Sequence, residues 1–173
     1  MKILLATHNS NKASEIRALL PQVEICTLAD LDDFEEIIED GITLEENALI
    51  KAKAGFSRHQ LHCLADDTGL LVEAMGGAPG VYSARFAGEP ANAENNMVKL
   101  LSELDGVENR KASFETVLVF LDENEVPHVF SGRVDGEITL NRSGKEGFGY
   151  DPIFRPKGYE ITFAEMNREE KGK

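Results

Sequence analysis

Apolar positions recur at helical spacing in three stretches of the chain and predict helices over residues 11–20, 44–59 and 91–104. The middle stretch follows a capping box, in which Thr43 precedes Glu46 by three residues. The spacing turns the following side chains toward the core: Ala13, Ile16, Leu19 and Leu20 in the first helix, Leu44, Ala48, Ala52 and Phe56 in the second, and Met97, Val98, Leu101 and Leu104 in the third.

Between and after these helices, short apolar or alternating runs predict β-strands. The runs cover residues 2–6, 23–28, 61–65, 70–72, 112–121, 128–134 and 138–140. Residues 66–69 separate the third strand from the fourth, and the fifth and sixth strands form a hairpin. Because strands and helices alternate first and a hairpin follows, the pattern predicts an α/β fold with a mixed sheet.

The last part of the chain carries a second capping box, formed by Thr162 and Glu165, which predicts a helix that has barely begun at Lys173. We find no internal repeat, low-complexity tract or linker rich in proline and serine, so no domain boundary is visible. We therefore expect residues 1–173 to form a single α/β domain.

Composition and charge reduce the number of functional classes that the chain fits. With 42% apolar and 28% charged residues the chain has a globular balance, and no apolar run approaches the ~18 residues of a membrane helix. The 31 acidic and 18 basic side chains give a net charge of −13, which disfavours binding to nucleic acids or anionic membranes. An anionic ligand would need a divalent metal and a few well-placed cations. The cysteines, Cys26 and Cys63, lack the spacing of a zinc or redox motif, so we expect a reduced, cytoplasmic protein.

The junction between the first strand and the first helix is a candidate phosphate site. Asn9 is a candidate N-cap, and the backbone N–H groups that follow it carry the partial positive charge that suits a phosphate. Lys12 then lies in the first turn, where the helix dipole disfavours a cation unless an anion is nearby. Either Lys12 faces such an anion, or it pairs with Glu15 on a solvated face of the helix. The sequence of this junction does not match the phosphate-binding loop of the Walker motif.

Two adjacent carboxylates, Asp66 and Asp67, follow the third strand and precede Thr68 and Gly69. Carboxylate oxygens are ligands for Mg²⁺ and can orient a water molecule. Neighbouring side chains of an extended backbone point in opposite directions. We therefore expect one carboxylate to bind the metal or act as the base and the other to have a structural role. The competing interpretation is an Asx turn that Gly69 closes.

The acidic run before the second helix offers further carboxylates, of which one is a candidate second metal ligand although such runs are usually solvated: Glu35, Glu36, Glu39 and Asp40. Lys51 shares a helix face with Asn47 and has no acidic residue three or four positions away. Lys51 is therefore either reserved for a phosphate or an ordinary surface lysine.

Residues 144–154 combine glycines with aromatic side chains in one bend. Glycines let the backbone approach a planar ligand, and Phe148 can stack on a base at roughly 1–3 kcal/mol. Backbone N–H and C=O groups can then contact the edge of the ring. The competing interpretation is a tight turn whose aromatic side chains belong to the core.

Six stretches of the chain are specific as an ordered set and span nearly its whole length: residues 5–12, 43–52, 65–70, 76–86, 148–154 and 168–171. Their central motifs are Thr7-His8-Asn9, Thr43-Leu44-Glu45-Glu46-Asn47-Ala48, Asp66-Asp67-Thr68-Gly69, Gly76-Gly77-Ala78-Pro79-Gly80, Phe148-Gly149-Tyr150-Asp151-Pro152 and Arg168-Glu169-Glu170-Lys171. In these motifs and their order along the chain, the protein resembles the inosine triphosphate pyrophosphatases, which are also called XTP/dITP pyrophosphatases.

The resemblance implies an α/β fold with a long mixed sheet, two lobes around a central substrate cleft, and a homodimer. It implies Mg²⁺-dependent hydrolysis of ITP, dITP and XTP to the monophosphate and pyrophosphate. Asp67 resembles the proton acceptor and a metal ligand of the family, and Glu39 or Glu36 its second metal ligand. The implied substrate-binding residues are Thr7, His8, Asn9, Ser10, Asn11, Lys12, Lys51, Thr68, Phe148, Gly149, Tyr150, Asp151 and Lys171.

One departure from the family concerns the C-terminus. After the Arg-Glu-Glu-Lys motif the family continues into a Ser-His-Arg motif whose His and Arg contact the purine, and this chain ends at Lys173, before that motif. Because a helix capped at Thr162 should not stop within about two turns, we expect the C-terminal helix to be truncated.

The mechanism that follows is attack of a water molecule on the α-phosphorus, with Asp67 orienting or deprotonating the water. Mg²⁺ would neutralise charge on the phosphate oxygens, and Lys12 and Lys51 would hold the pyrophosphate. Two other classes stay open, a non-catalytic nucleotide-binding regulator with the same fold and a Mg²⁺-dependent sugar-phosphate phosphatase that releases orthophosphate.

Overall fold

The computed structural model describes residues 1–171. Its α-helices are α1 Ser10–Leu19, α2 Leu44–His59, α3 Ala93–Glu103 and α4 Arg168–Lys171. Its β-strands are β1 Lys2–Leu5, β2 Glu24–Thr27, β3 His62–Val72, β4 Pro79–Gly80, β5 Lys111–Leu121, β6 Pro127–Ile138 and β7 Phe154–Pro156. Short 3-10 helices occupy Ala29–Leu31, Glu73–Met75, Ser83–Arg85, Asp151–Ile153 and Phe163–Glu165.

The strands of residues 1–171 form one seven-stranded sheet in the order β2-β1-β3-β5-β6-β7, with β4 paired to β3. β1 lies parallel to both β2 and β3, with Leu4 opposite Cys26 on one side and Cys63 on the other. β4 is antiparallel to β3, and β7 is antiparallel to β6. The prediction of an α/β fold with a mixed sheet is therefore confirmed.

The chain folds into two compact units. Unit 1 comprises Met1–Asp67 and Thr116–Gly132, and unit 2 comprises Thr68–Glu115 and the chain from Arg133 onward. The boundaries fall within β3, β5 and β6.

Alternation along β1 explains the core of unit 1. Leu4 packs with Ala48 and Phe56 of α2, whereas Ile3 and Leu5 pack with Ala13 of α1. Because successive strand residues point to opposite faces of a sheet, α1 and α2 cover opposite faces of β1. The core of unit 2 is a separate cluster that joins α3 to the sheet and contains Leu70, Val72, Met97, Leu100, Leu104, Ile138, Tyr150, Ile153, Phe154 and Phe163.

Two of the predicted strand breaks are wrong. Residues 66–69 do not interrupt β3, which runs without a break from His62 to Val72, and β6 continues to Ile138 through the gap predicted after residue 134. Adjacent aspartates and a glycine favour a turn locally, but β3 pairs with β1 near its start and with β4 near its end. Pairing with neighbouring strands overrides the weak local preference, so the Asx turn is excluded.

The helix predictions are confirmed in extent and wrong in some buried positions. Leu19 is 64% exposed and Val98 is 54% exposed, whereas Leu100, which was not assigned to the buried face, is fully buried. These three errors lie on α1 and α3, where neighbouring positions divide between the buried and the exposed face. The interior of α2 agrees with its predicted stripe at Ala48, Ala52 and Phe56.

The helix expected from Thr162 is wrong. The capping box between Thr162 and Glu165 is present, but it closes a three-residue 3-10 helix. Met166 has an extended backbone and ends that turn, and the Asn167 side chain then accepts a hydrogen bond from the Glu170 N–H to begin α4. Within residues 1–171, no helix is long and apolar enough to cross a bilayer.

Candidate active site

The junction between β1 and α1 has the predicted capped geometry. The Asn9 side chain accepts hydrogen bonds from the N–H groups of Asn11, at 2.9 Å, and Lys12, at 3.3 Å, so Asn9 is confirmed as the N-cap. Thr7 Oγ1 accepts from the Asn9 N–H at 3.0 Å and shapes the turn before the cap. Ser10 is the first residue of α1.

Lys12 faces a carboxylate of its own chain. Its Nζ lies 2.9 Å from Oδ2 of Asp66, which is only 6% exposed. This ion pair provides the anion that a lysine in the first turn of a helix needs. The second oxygen of Asp66, Oδ1, is buried and has no hydrogen-bond partner within residues 1–171. Asp66 is therefore paired with Lys12 through one of its two carboxylate oxygens.

Asp67 points in another direction and contacts α2. Its Oδ2 accepts a hydrogen bond from Nδ2 of Asn47 at 3.3 Å. Burial raises the pKa of Asp67 above its ordinary value, and the charge of Glu39 adds to the rise. Lys51, Lys12 and the Asn47 amide oppose the rise. The two neighbouring carboxylates therefore take different partners, and which of them serves a metal ion or a base stays a prediction.

Lys51 forms an ion pair that sequence spacing missed. Its Nζ lies 2.8 Å from Oε1 of Glu39, and its side chain is 12% exposed. A lysine without an acidic neighbour on its own helix is therefore paired through the acidic run that precedes the helix. Glu39 is half-buried whereas Glu36 is exposed, so Glu39 is the carboxylate of this run that lies beside Lys51 and acts on Asp67.

Asp33, which lies two residues before the acidic run, links this part of the chain to the end of α2 and to His8. Its carboxylate accepts hydrogen bonds from His59 Nε2 at 2.7 Å and from Arg58 at 3.2 Å, and its backbone carbonyl accepts one from His8 Nε2 at 3.0 Å. The hydrogen bond from His59 lowers the pKa of Asp33. Sequence analysis missed this anchor, although the basic pair Arg58 and His59 in the last turn of α2 was a visible sign of it.

Two carboxylates of unit 1, Asp67 and Glu39, are candidate ligands for a magnesium ion. Within the described part of the chain, no group of three or more acidic, histidine or cysteine side chains could hold a metal by itself. Mg²⁺ usually takes one or two protein carboxylates and completes its shell with water and substrate phosphates. Asp67, which burial desolvates, and Glu39, which acts on it electrostatically, supply a donor set of this kind.

In unit 2, the glycine-rich bend holds Asp151 close to its own backbone. Asp151 Oδ2 accepts a hydrogen bond from the Phe148 N–H at 3.0 Å. Gly147 has a φ of +73°, and a Cβ added there would lie 2.1 Å from the same oxygen. Only glycine fits this position, because any side chain would collide with the carboxylate.

Lys171 joins the same bend. Its Nζ lies 2.6 Å from Asp151 Oδ2 and 4.6 Å from the centre of the Phe148 ring, a cation–π distance. The structure therefore brings together three residues that were predicted from two distant motifs. Phe148 is half-buried, while Asp151 is buried.

The side chain of Tyr150 belongs to the core of unit 2. It is 6% exposed, and its hydroxyl donates a hydrogen bond to the Ser83 carbonyl at 2.6 Å. Burial raises the pKa of this hydroxyl. For Tyr150, the interpretation that the aromatic residues of the bend are core is correct.

These observations define an α/β protein with a mixed sheet whose paired carboxylates and lysines are the side chains that metal and phosphate chemistry use. The model of the Ham1 family matches residues 3–173. A dITP/XTP pyrophosphatase of Flavobacterium psychrophilum is 47% identical over 172 residues, which are 99% of this chain and 90% of that protein. A dITP/XTP pyrophosphatase of Thermoanaerobacter pseudethanolicus is 49% identical over 177 residues, covering 100% of this chain and 89% of that protein.

Solved structures agree with these sequence comparisons. A HAM1 protein from Coxiella burnetii superposes with a TM-score of 0.89 at 37% identity, over 99% of this chain and 90% of that chain. The Ham1 protein of Staphylococcus aureus gives a TM-score of 0.88 with the same identity and coverage. The chain belongs to the Ham1 family, which confirms the resemblance seen in its motifs.

Proposed function

We propose that this protein hydrolyses ITP, dITP and XTP to the corresponding monophosphate and pyrophosphate and so removes them from the nucleotide pool. The observation that carries the proposal is the charged cluster of unit 1, in which Asp67 lies near two lysines and a second carboxylate. Relatives named dITP/XTP pyrophosphatase, 47–49% identical over 99–100% of the chain, support it.

In this proposal Asp67 orients or deprotonates the water that attacks the α-phosphorus. Desolvation makes a carboxylate a stronger base than it is in water, and burial raises the pKa of Asp67 in this way. The hydrogen bond from Asn47 leaves the remaining lone pairs of the carboxylate for a water molecule or a metal ion.

Asp67 and Glu39 are the residues that would hold Mg²⁺. When bound, the ion supplies neutralisation of the charge on the phosphate oxygens. To hold the ion, Glu39 would give up its ion pair with Lys51, whose Nζ lies 2.8 Å from Glu39 Oε1. We prefer Glu39 to Glu36 because Glu39 is half-buried and acts on Asp67 electrostatically.

The triphosphate chain would be held at the N-terminus of α1 and by two lysines. Lys12 and Lys51 are each paired with a carboxylate, and phosphate oxygens would replace those carboxylates as partners. The capped turn supplies backbone N–H groups from a segment of the substrate-binding set, Thr7, His8, Asn9, Ser10 and Asn11. A chain of net charge −13 thus binds a polyanion through local positive charge.

The base would be bound by residues of unit 2, with Thr68 as a further substrate contact. Phe148 offers a ring face for stacking, and Lys171 lies over the same ring while pairing with Asp151. Backbone N–H groups around Gly149 and Tyr150 are donors suited to the 6-oxygen of hypoxanthine or xanthine. A 6-amino group would leave such donors without an acceptor, which disfavours ATP.

We also propose that the protein acts in the cytoplasm as a homodimer. Cys26 and Cys63 are both free and buried, and burial raises the pKa of Cys63 to about 12, so that thiol stays protonated. Free thiols are typical of a reducing compartment. The homodimer is the assembly that the family resemblance implies, and light scattering of the purified protein at several concentrations tests it.

The experiment that tests the proposed function is a product profile. ITP, dITP, XTP, ATP and GTP are each incubated with the protein with and without Mg²⁺, and pyrophosphate and orthophosphate are measured separately. We expect pyrophosphate from the first three, dependence on Mg²⁺, and a much lower kcat/KM for ATP, while GTP, which also carries a 6-oxygen, tests whether that atom alone sets the preference. Nucleotide binding without hydrolysis would identify a regulator instead, and release of orthophosphate would identify a phosphatase.

A further inference from the structure

The amide of Asn47 joins two parts of unit 1 that carry candidate metal ligands. Its Oδ1 accepts a hydrogen bond from the Gly41 N–H at 2.8 Å, and its Nδ2 donates to Asp67 Oδ2 at 3.3 Å. Asn47 is 3% exposed although it is polar. Gly41 lies two residues after Glu39, so one side chain contacts both the segment of Glu39 and the carboxylate of Asp67.

We propose that Asn47 is a positioning residue that holds Asp67 and the Glu39-bearing segment together as one site for a divalent cation and a water molecule. The inference rests on the proposed function for the role of Asp67. Asn47 itself touches neither substrate nor metal in this account, and it acts through the two groups that it hydrogen bonds.

The chemistry of an amide suits this position better than that of a charged or purely donating group. An amide accepts and donates at once, so it satisfies a backbone N–H and a carboxylate in the same orientation. It adds no charge to a region where Asp67, Glu39, Lys12 and Lys51 already act on one another. A buried polar side chain is retained when its hydrogen-bonding groups are satisfied, and both ends of Asn47 are.

α2 provides the rigid base for the arrangement. Thr43 caps the helix by accepting the Glu46 N–H at 3.1 Å, and Glu46 Oε2 accepts the Ile42 N–H at 2.7 Å. Consecutive helix residues, Glu46 and Asn47, therefore bind the N–H groups of consecutive segment residues, Ile42 and Gly41. The segment is fixed to the first turn of α2, and the same turn reaches Asp67.

The close approach at Gly41 gives an independent way to disturb the link. A Cβ added at Gly41 would lie 2.6 Å from Asn47 Oδ1 and 2.7 Å from the Glu46 Cβ. Both distances are shorter than real contacts, so Gly41→Ala must push the segment away from Asn47. The backbone of β6 offers a matched control, because a Cβ at Gly132 would meet nothing within 4 Å.

A second buried asparagine provides the control for loss of the amide. Asn96 on α3 is also 3% exposed, and it also accepts from a backbone N–H, that of Ala87, while donating to the Ala84 carbonyl. The Asn96 amide also donates to the Ser83 carbonyl at 3.3 Å, so Asn96→Ala removes three hydrogen bonds from unit 2, one more than Asn47→Ala removes from unit 1, and leaves Asp67 untouched. A purely structural role for Asn47 predicts the same phenotype for both alanine variants.

The test compares three variants, Asn47→Ala, Asn47→Asp and Gly41→Ala, with Asn96→Ala, Gly132→Ala and the wild type. Asn47→Asp preserves the shape of the side chain and the acceptor for the Gly41 N–H but lacks the donor for Asp67, so it tests the link to Asp67 independently of how well Asn47→Ala folds. We expect kcat for ITP to fall about 10- to 100-fold in all three, as for loss of a partner that orients a metal ligand, with KM changed less than about threefold. The two controls should keep kcat within about threefold of the wild type.

The second measurement needs no nucleotide. Mn²⁺ is titrated into wild type, Asn47→Ala and Asn96→Ala, and bound ion is followed by electron paramagnetic resonance. We expect Asn47→Ala to bind Mn²⁺ about 10- to 100-fold more weakly than the wild type and Asn96→Ala to bind it as the wild type does. Equal Mn²⁺ affinity in the two alanine variants, no Mn²⁺ binding by the wild type, or an unchanged kcat in Asn47→Asp would each overturn the proposal. If ITP is not hydrolysed at all, the proposed function fails, and the Mn²⁺ titration still decides the role of Asn47.

Discussion

The two candidate regions of this protein are built from different interactions. In unit 1, acidic and basic side chains form ion pairs, Lys12 with Asp66 and Lys51 with Glu39. The Asn47 amide donates a hydrogen bond to Asp67 in the same unit. In unit 2, one ion pair between Lys171 and Asp151 lies against the ring of Phe148. The first region is suited to phosphate and metal chemistry, and the second to a flat ring with a polar edge.

This difference has a consequence for substitutions. Charges in unit 1 act on one another, so a change at one position alters the protonation or the partner of the next. In unit 2 the ring and the bend present a surface, and a change there removes contact area. We therefore expect variants of unit 1 to lower kcat and variants of unit 2 to raise KM.

The largest effect is expected for Asp67→Asn. The amide keeps the shape of the side chain and cannot accept a proton, so kcat for ITP should fall about 10²- to 10⁴-fold, the range for loss of a general base. Pyrophosphate release in the presence of Mg²⁺ measures it, with Asp105→Asn, an exposed position in unit 2, as the control. Turnover near that of the wild type would remove Asp67 from its proposed role.

A second prediction separates Glu39 from Glu36. Glu39→Gln should raise the Mg²⁺ concentration for half-maximal activity at least about tenfold, because it removes a proposed metal ligand that is half-buried beside Lys51. Glu36→Gln changes an exposed carboxylate in the same run and should leave the Mg²⁺ requirement unaltered. The assignment of the second ligand is wrong if the two variants behave alike.

A third prediction concerns the ring of Phe148. Phe148→Ala removes the stacking surface, which is worth about 1–3 kcal/mol, so KM for ITP should rise roughly 5- to 150-fold. kcat should stay within about threefold of the wild type, and Phe148→Tyr, which keeps the ring, should restore KM. A fall in kcat with an unchanged KM would contradict the division between the two regions.

The smallest effect is on stability and depends on pH. Because burial raises the pKa of Asp67 in the folded protein, the ionised carboxylate destabilises the fold at pH values above that pKa. Metal-free Asp67→Asn should therefore melt above the wild type at pH 7, on the order of 2–4 °C, the shift that ~1 kcal/mol produces in a protein of this size.

The pH dependence of this gain checks its sign. As pH falls toward the ordinary pKa of an aspartate, the wild-type carboxylate takes up its proton and the difference in Tm should shrink. Differential scanning fluorimetry from pH 7 to pH 4.5 in the presence of a chelator measures it. A difference that grows on acidification would show that ionised Asp67 stabilises the fold.

Local chemistry along the chain was sufficient for much of the architecture. The caps at Asn9 and Thr43 act over three residues or fewer, and the structure confirms both. Strands and helices follow the periodicity of apolar positions, and the stripe of α2 was correct at Ala48, Ala52 and Phe56. Each of these features depends on neighbours within about one helical turn, which is why the sequence was enough.

Partners distant in sequence were beyond such reasoning. Spacing on one helix offered Glu15 for Lys12 and no partner for Lys51, whereas the structure pairs these lysines with Asp66 and Glu39. The continuity of β3 was missed for the same reason, since pairing with other strands decides it. The local preference of a residue for a strand or a turn is worth at most about 1 kcal/mol, and the stabilisation from strand pairing and burial exceeds it.

The sequence by itself determined the class of fold, the residues able to carry chemistry and the family to which they point. Tertiary structure decided which of those residues meet, since Asn47 lies 20 positions from Asp67 and yet hydrogen bonds to it. It also decided the surroundings of Asp67, because burial and the charge of Glu39 raise the pKa of this carboxyl and the charge of Lys51 opposes the rise. Residue identity fixes what a group can do, whereas distance and desolvation, which only the folded chain defines, fix what it does.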